Sequence, residues 1–340
     1  MSYFTKRKIF LTVFASLLII SIITIFTLTM IARSKPVDAP DRMSVGILPN
    51  EAQLNSAVKY KRVLIIGVDG AGGYFGEMDT PNFDRIFSEG SITYTGLSQN
   101  PTVSAQNWTS MLHGVRYQKH FVDNTIDATV PYMYSKYPSI FKAYRKYDKK
   151  AKYLSVCSWS PINYGSIEWL AGLKKLYPKH KYKGDDDMEI ELDALGCEMF
   201  LEAIEKTDPT IAFVHYDQVD HAGHYGTGYG DDTYKQAISN IDELIGKMYD
   251  AYVEKGWADD TLFILVSDHG HKKEGGGHGG ETEEEKNVTF AVAGAKGNII
   301  KGTMGKFVTQ DLAAVVMYGL GVKQPDTWEA RVPENLFNTL

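Results

Sequence analysis

The sequence predicts an α/β fold in which a central, mostly parallel sheet carries helices on both faces, preceded by one N-terminal transmembrane helix. Three observations predict it. Short continuous apolar runs recur between amphipathic helix patterns, as expected for parallel strands covered on both sides. An uncharged run, residues 9–32, opens the chain. Aspartates stand just after three of the apolar runs, where a parallel sheet gathers its strand ends.

The opening run, "IFLTVFASLLIISIITIFTLTMIA", is about 36 Å long as a helix and so spans a bilayer core. Lys6, Arg7 and Lys8 precede it and only Arg33 and Lys35 follow closely. This charge bias predicts a cytoplasmic N-terminus at 1–8, a single-pass anchor at 9–32 and an extracytoplasmic remainder. The run is longer than the apolar part of a cleaved signal peptide and lacks a small-x-small cleavage site near its end. Residues 33–60, polar and with three prolines, read as a tether. The catalytic domain is expected at 61–340.

Within that domain "VLIIGV" (63–68) is the first strand, followed by a helix at 81–89 with Thr80 as N-cap and Pro81 in its first turn. A second helix follows residue 104. "YLSVC" (153–157), "TIAFVHY" (210–216), "LFILVS" (262–267) and "VTFAVAG" (288–294) are further strands, interleaved with helices near 189–205, 233–254 and 309–319. Ile238, Ile241, Leu244, Ile245, Met248 and Tyr252 recur at helical spacing. Residues 158–188 break the alternation and read as an insertion near the site mouth.

With 340 residues, 44% of them hydrophobic, the chain can bury one large core or two small ones. The net charge of -6 provides no basic surplus, which argues against nucleic acid read by sequence as a partner. Two cysteines, Cys157 and Cys197, allow one disulfide or two buried thiols.

The chemistry concentrates in three segments. Asp69 follows the first run, Asp217 and Asp220 follow "TIAFVHY", and Asp268 follows "LFILVS", so their carboxylates are expected to converge. Singly, each aspartate is explained as a turn former or helix cap. Six of the nine histidines fall within 215–278, in "HYDQVDHAGH" and "SDHGHKKEGGGHGG". A carboxylate and imidazole set suits zinc or another divalent ion, which relieves repulsion among clustered aspartates. His271 reads as a bystander, solvated or behind a ligand. In "NPTVSAQNWTSMLHG" Ser104 opens a helix that Gly114 closes. A serine there ordinarily caps the helix. The same place offers free amides to a phosphate, which suits a nucleophile, with Asn107 one turn on as a donor to a phosphoryl oxygen.

In this order "VDG", "TPNFDRI", "PTVSAQNWTSMLHG", "DQVDHAGH", "SDHG" and "GGGHGG" resemble the alkaline phosphatase superfamily, and within it the type I phosphodiesterase/nucleotide pyrophosphatase branch. The resemblance implies an alkaline-phosphatase-like fold and two zinc ions. One would be held by Asp69, Asp268 and His269 and touch Ser104; the other would be held by Asp220, His224 and His278. It implies a phosphate-ester substrate, attack by Ser104 on phosphorus, and release of the covalent serine intermediate by water. Ala105 follows the nucleophile where nucleotide pyrophosphatases commonly carry an aromatic residue, which puts a nucleobase pocket in question. Two alternatives stand beside hydrolysis. One is a phosphoethanolamine-type transferase and the other an inactive surface-anchored binding protein.

Overall fold

The apolar run after residue 61 forms β1 (Arg62–Val68), every residue of which is buried in this computed structural model. The structure describes residues 12–21, 24, 39–127, 136–179, 188–226 and 228–340. The other strands are β2 (Ser91–Leu97), β3 (Tyr153–Cys157), β4 (Lys174–Leu176), β5 (Ile211–Tyr216), β6 (Thr261–Ser267) and β7 (Asn287–Ala293). Among the described residues they form one sheet in the order β2-β7-β6-β1-β5-β3-β4. β6, β1, β5, β3 and β4 run parallel. β7 runs antiparallel to both β6 and β2, so the sheet is mixed at one edge. The reversal was not legible in the sequence, because an apolar run buried on both faces carries no mark of its direction.

Helices lie on both faces. α1 (Pro81–Phe87), α3 (Met188–Lys206) and α5 (Asp232–Glu254) pack over Leu64, Ile66, Val214 and Leu265. α2 (Ser104–His113) and α6 (Leu312–Gly319) pack over Val63, Ile65, Phe213 and Ile264 on the other. Burying each such side chain is worth about 1.5–3 kcal/mol, which pins the register of every central strand. A last helix, α4 (Gln218–Tyr225), follows β5 directly. Cys157 and Cys197 are free buried thiols in cores on opposite faces of the sheet.

Thr80 and Pro81 do start α1, but Thr80 makes no capping bond and its buried hydroxyl has no partner. Asp242 of α5 caps the helix instead, accepting from Asn82 N at 3.0 Å and Phe83 N at 2.7 Å. Asp242→Ala should therefore lower stability in urea unfolding by about 2 kcal/mol, since it strands one buried and one part-buried donor. Thr80→Val should cost under about 0.5 kcal/mol, because it removes no bond. Equal losses in the two variants would refute this assignment of the cap.

The chain divides into two units, Met1–Lys35 and Pro36–Leu340. In the first, residues 12–21 are helical, and the remainder of the expected anchor apart from Thr24 lies outside the described residues. No helix among the described residues is long and apolar enough to cross a membrane. In the second unit the expected tether is shorter than 33–60. Glu51–Ser56 is a helix with an Asn50/Gln53 capping box, Ile47 bridges Val332, and Arg42 is buried and pairs with Glu281 at 2.6 Å. The expected insertion is not wholly outside the sheet, because its residues 174–176 form edge strand β4.

Candidate metal centre and nucleophile

Strand register builds the floor of the site. Val68 lies opposite both Tyr216 and Ser267, so Asp69, Asp217 and Asp268 are the first residues beyond three adjacent strand ends. Strands about 4.8 Å apart bring three carboxylates together at that edge. Asp69 and Asp268 are fully buried. Asp220 and His224 are one turn apart on α4, whose first amides are held by buried Asp193, accepting from Asp217 N at 3.1 Å and Gln218 N at 2.8 Å. Burial, offset only partly by those bonds, pushes the Asp193 carboxyl up to about 6.

Ser104 is the first residue of α2 and does not cap it; the N-cap is Val103. Its hydroxyl lies 3.3 Å from Asp69 Oδ1 and 3.1 Å from His269 Nε2. Asp69 is oriented from behind, where Trp108 Nε1 (2.7 Å) and His215 Nε2 (2.9 Å) both donate to Oδ2 and leave Oδ1 facing the serine. Gly67 permits this, since a Cβ there would fall 2.5 Å from the Trp108 ring. The loop after β6 is clasped to the segment before Ser104. His278 Nδ1 meets Thr102 O at 2.8 Å, Thr102 Oγ1 donates to Gly280 O at 2.9 Å, and Gly279 N donates to Thr102 Oγ1 at 2.9 Å.

Hydrogen bonding sorts the histidines. In His278 and His269, Nδ1 faces a carbonyl oxygen, of Thr102 and of Gly270 (3.1 Å), so Nδ1 carries the hydrogen and Nε2 presents a lone pair to the site. In His215 and His271 it is Nε2 that meets a carboxylate, of Asp69 and of Asp220 (2.9 Å), so Nε2 carries the hydrogen. His271, expected to be a bystander, is fully buried.

Two donor sets stand out among the described residues, Asp69, Asp268 and His269, and Asp220, His224 and His278, each with ligand atoms within 4.8 Å of one another; Asp220 also converges with His269 and His271, but His271 Nε2 is committed to Asp220 Oδ1 at 2.9 Å. Both fit a divalent cation. Asp268 Oδ2 is buried without a hydrogen-bond partner, 3.3 Å from the His269 Nε2 lone pair. The second set brings His224 Nε2 within 3.1 Å of His278 Nε2 and 3.4 Å of Asp220 Oδ2. Carboxylate oxygens and ring nitrogens crowded at these distances are what a cation resolves. Asp217 also converges with Asp69 and His215, but His215 Nε2 is already committed to Asp69.

Electrostatics agree with this division. Burial, then the Asp69 charge, pushes the Asp268 carboxyl well above the usual range. Asp69 and Asp220 are pushed up by burial too, but the bonds from His215 and His271 and the surrounding imidazoles bring both below it. Burial, reinforced by His278, lowers His269 to about 3.

Asn107 does not face the site as expected. It is fully buried, with Oδ1 accepting from Gln99 N (2.6 Å) and Thr309 Oγ1 (3.0 Å) and Nδ2 donating to Val103 O (3.1 Å), so it pins the segment before Ser104. The sequence reading passed over Asn124, which is exposed and accepts from Ala105 N at 2.9 Å. An amide group thus stands at the mouth of α2 beside Ser104; nothing in the local pattern around "VDNTI" signals it.

Residues 63–283 match the family described as Type I phosphodiesterase / nucleotide pyrophosphatase. A GPI ethanolamine phosphate transferase 2 of Yarrowia lipolytica is 22% identical over 253 residues, 72% of this chain, and the chain spans 28% of that relative's length. Among solved structures, murine ectonucleotide pyrophosphatase / phosphodiesterase 5 is similar with a TM-score of 0.63 at 13% identity, covering 78% of this chain and 96% of that one. The lipoteichoic acid synthase of Listeria monocytogenes gives 0.59 at 15% identity, covering 88% and 79%. At these identities the two structures speak for the fold alone.

Proposed function

Because this chain belongs to the type I phosphodiesterase / nucleotide pyrophosphatase family, we propose that it is a metal-dependent enzyme that cleaves a phosphodiester or pyrophosphate bond through a covalent Ser104 intermediate. The observation that carries this reading is the Ser104 hydroxyl, set at the open N-terminus of a ten-residue buried helix and against both Asp69 and His269. The resident ions are proposed to be two zincs, one held by Asp69, Asp268 and His269 and one by Asp220, His224 and His278. When bound, such ions supply charge that makes the serine hydroxyl more acidic and offsets charge on the phosphoryl oxygens.

The chain's own residues do the rest. Trp108 and His215 hold Asp69 in one rotamer, and the positive end of the α2 dipole faces the anion that Ser104 attacks. The Ser104 Oγ–P bond forms as the bond to the leaving oxygen breaks. An acceptor O–H then attacks phosphorus, its oxygen takes over the phosphoryl group, and Ser104 regains a hydroxyl.

The acceptor is water in the hydrolase reading. A hydroxyl acceptor is supported as well, by the likeness to a protein named as an ethanolamine phosphate transferase and by the apolar run 9–32. That run further supports anchorage in the cell membrane with the site on the extracytoplasmic side. The test uses the full-length chain in detergent with zinc, offered a phosphate diester, a monoester and a phosphoethanolamine-bearing lipid, with and without an acceptor alcohol. Diester cleavage with release to water supports the hydrolase, and product partitioning into the alcohol adduct supports the transferase. A zinc-loaded chain that neither cleaves nor transfers from any of the three would sink both.

A further inference from the structure

We propose that His271 is a positioning residue for the second donor set: from beneath α4 it donates Nε2–H to Asp220 Oδ1 and aims the other oxygen, Oδ2, at His224. This rests on the two-cation reading above and adds to it a residue outside either ligand set.

The geometry separates His271 from the ligands. Its Nε2 is 2.9 Å from Asp220 Oδ1, whereas the His278 and His269 Nε2 atoms stand 3.6 and 3.9 Å from the same oxygen. Asp220 Oδ2 lies 3.4 Å from His224 Nε2. A ring nitrogen that carries a hydrogen toward a carboxylate has no lone pair for a cation, so His271 cannot ligate through Nε2 in this arrangement. Its Nδ1 is buried and without a hydrogen-bond partner.

The backbone around the ring is built to admit it. A Cβ on Gly223 would fall 2.5 Å from His271 Nε2, and one on Gly70 2.8 Å from the same atom. Gly223 sits inside α4, where glycine is a poorer helix former than alanine. Its place there is explained by the imidazole occupying the space. The loop that carries His271 is tied to the same helix, with Lys272 N donating to Gly277 O (2.9 Å) and Gly277 N meeting Gly223 O (3.4 Å). The bond from His271 Nε2 thus holds the Asp220 carboxylate in one orientation.

The experiment measures zinc stoichiometry and affinity on the full-length chain in detergent, by competition with a chromophoric chelator, together with the visible spectrum after cobalt substitution. His271→Ala should weaken one of two zinc sites by about 10- to 100-fold and leave the other unchanged. His271→Gln, whose amide nitrogen can donate from the position of Nε2, should restore most of that affinity with the wild-type cobalt spectrum. Gly223→Ala should reproduce the His271→Ala loss, and the double variant should lose no more than either single one. Unchanged affinity in His271→Ala would make His271 a bystander and overturn the inference. A His271→Gln chain that loses the ion as fully as His224→Ala, or whose cobalt spectrum changes coordination, would make His271 a ligand and also overturn it. A wild-type chain that takes up no zinc overturns it together with the two-cation reading. A wild-type chain that binds two zincs and turns over no ester sinks the proposed reaction alone.

Discussion

Ser104→Ala should lower turnover of the phosphate ester by at least about 10⁴-fold while leaving metal content and fold in place. The fold should tolerate it, because Ala at the first position of α2 keeps the helix and removes only two side-chain contacts, at 3.3 and 3.1 Å. Metal should be retained because Asp69 keeps its bonds from Trp108 and His215, and neither Asp268 nor His269 depends on the hydroxyl for its place. The two quantities to measure are single-turnover rate and bound metal per chain. Activity within about tenfold of wild type would move the nucleophile elsewhere, and loss of metal in parallel with activity would make Ser104 a structural anchor.

Stripping divalent ions with a chelator should take activity to background, and zinc should return it. The pH dependence of reloading is the sharper measurement. In the metal-free chain the Asp268 carboxyl is raised well above its ordinary value by burial and by Asp69. An ion entering the first donor set must then displace that proton, so apparent affinity should fall as pH falls, by up to about tenfold per unit below the Asp268 value. His269, lowered to about 3, is already unprotonated and contributes no slope near neutrality. The sign for metal-free stability follows from the same shift. A folded-state value above the unfolded one gives stability that is fully present below the unfolded value and is lost as pH rises through the folded one. The metal-free chain should therefore weaken toward alkaline pH, and bound ions should remove that loss. Affinity independent of pH over the whole range in which the metal-free chain stays folded would refute the raised Asp268.

Much of this site was legible because parallel strands share a direction. Three aspartates after three apolar runs were enough to predict one edge, and Asp69, Asp217 and Asp268 stand there. The helix that carries Asp220 and His224, α4, was not among the elements read from the sequence; it places the two residues one turn apart. What the sequence hid depended on distant partners. Asp242 caps α1 from another helix, and the burial of His271 is set by glycines far from it in the chain. β2 escaped notice because "SITYTGL" alternates only partly between buried and half-exposed positions. Asn107 was misread for a related reason: its spacing from Ser104 is favourable, but Gln99 and Thr309 claim its amide oxygen.

The clasp between Thr102 and the segment His278–Gly280 has a mechanical consequence. One short stretch of backbone holds the attacking residue and one of the far imidazoles, so neither travels without the other. The two halves of the centre therefore assemble in concert: a chain that has not closed this loop has neither an aligned hydroxyl nor a complete second cage.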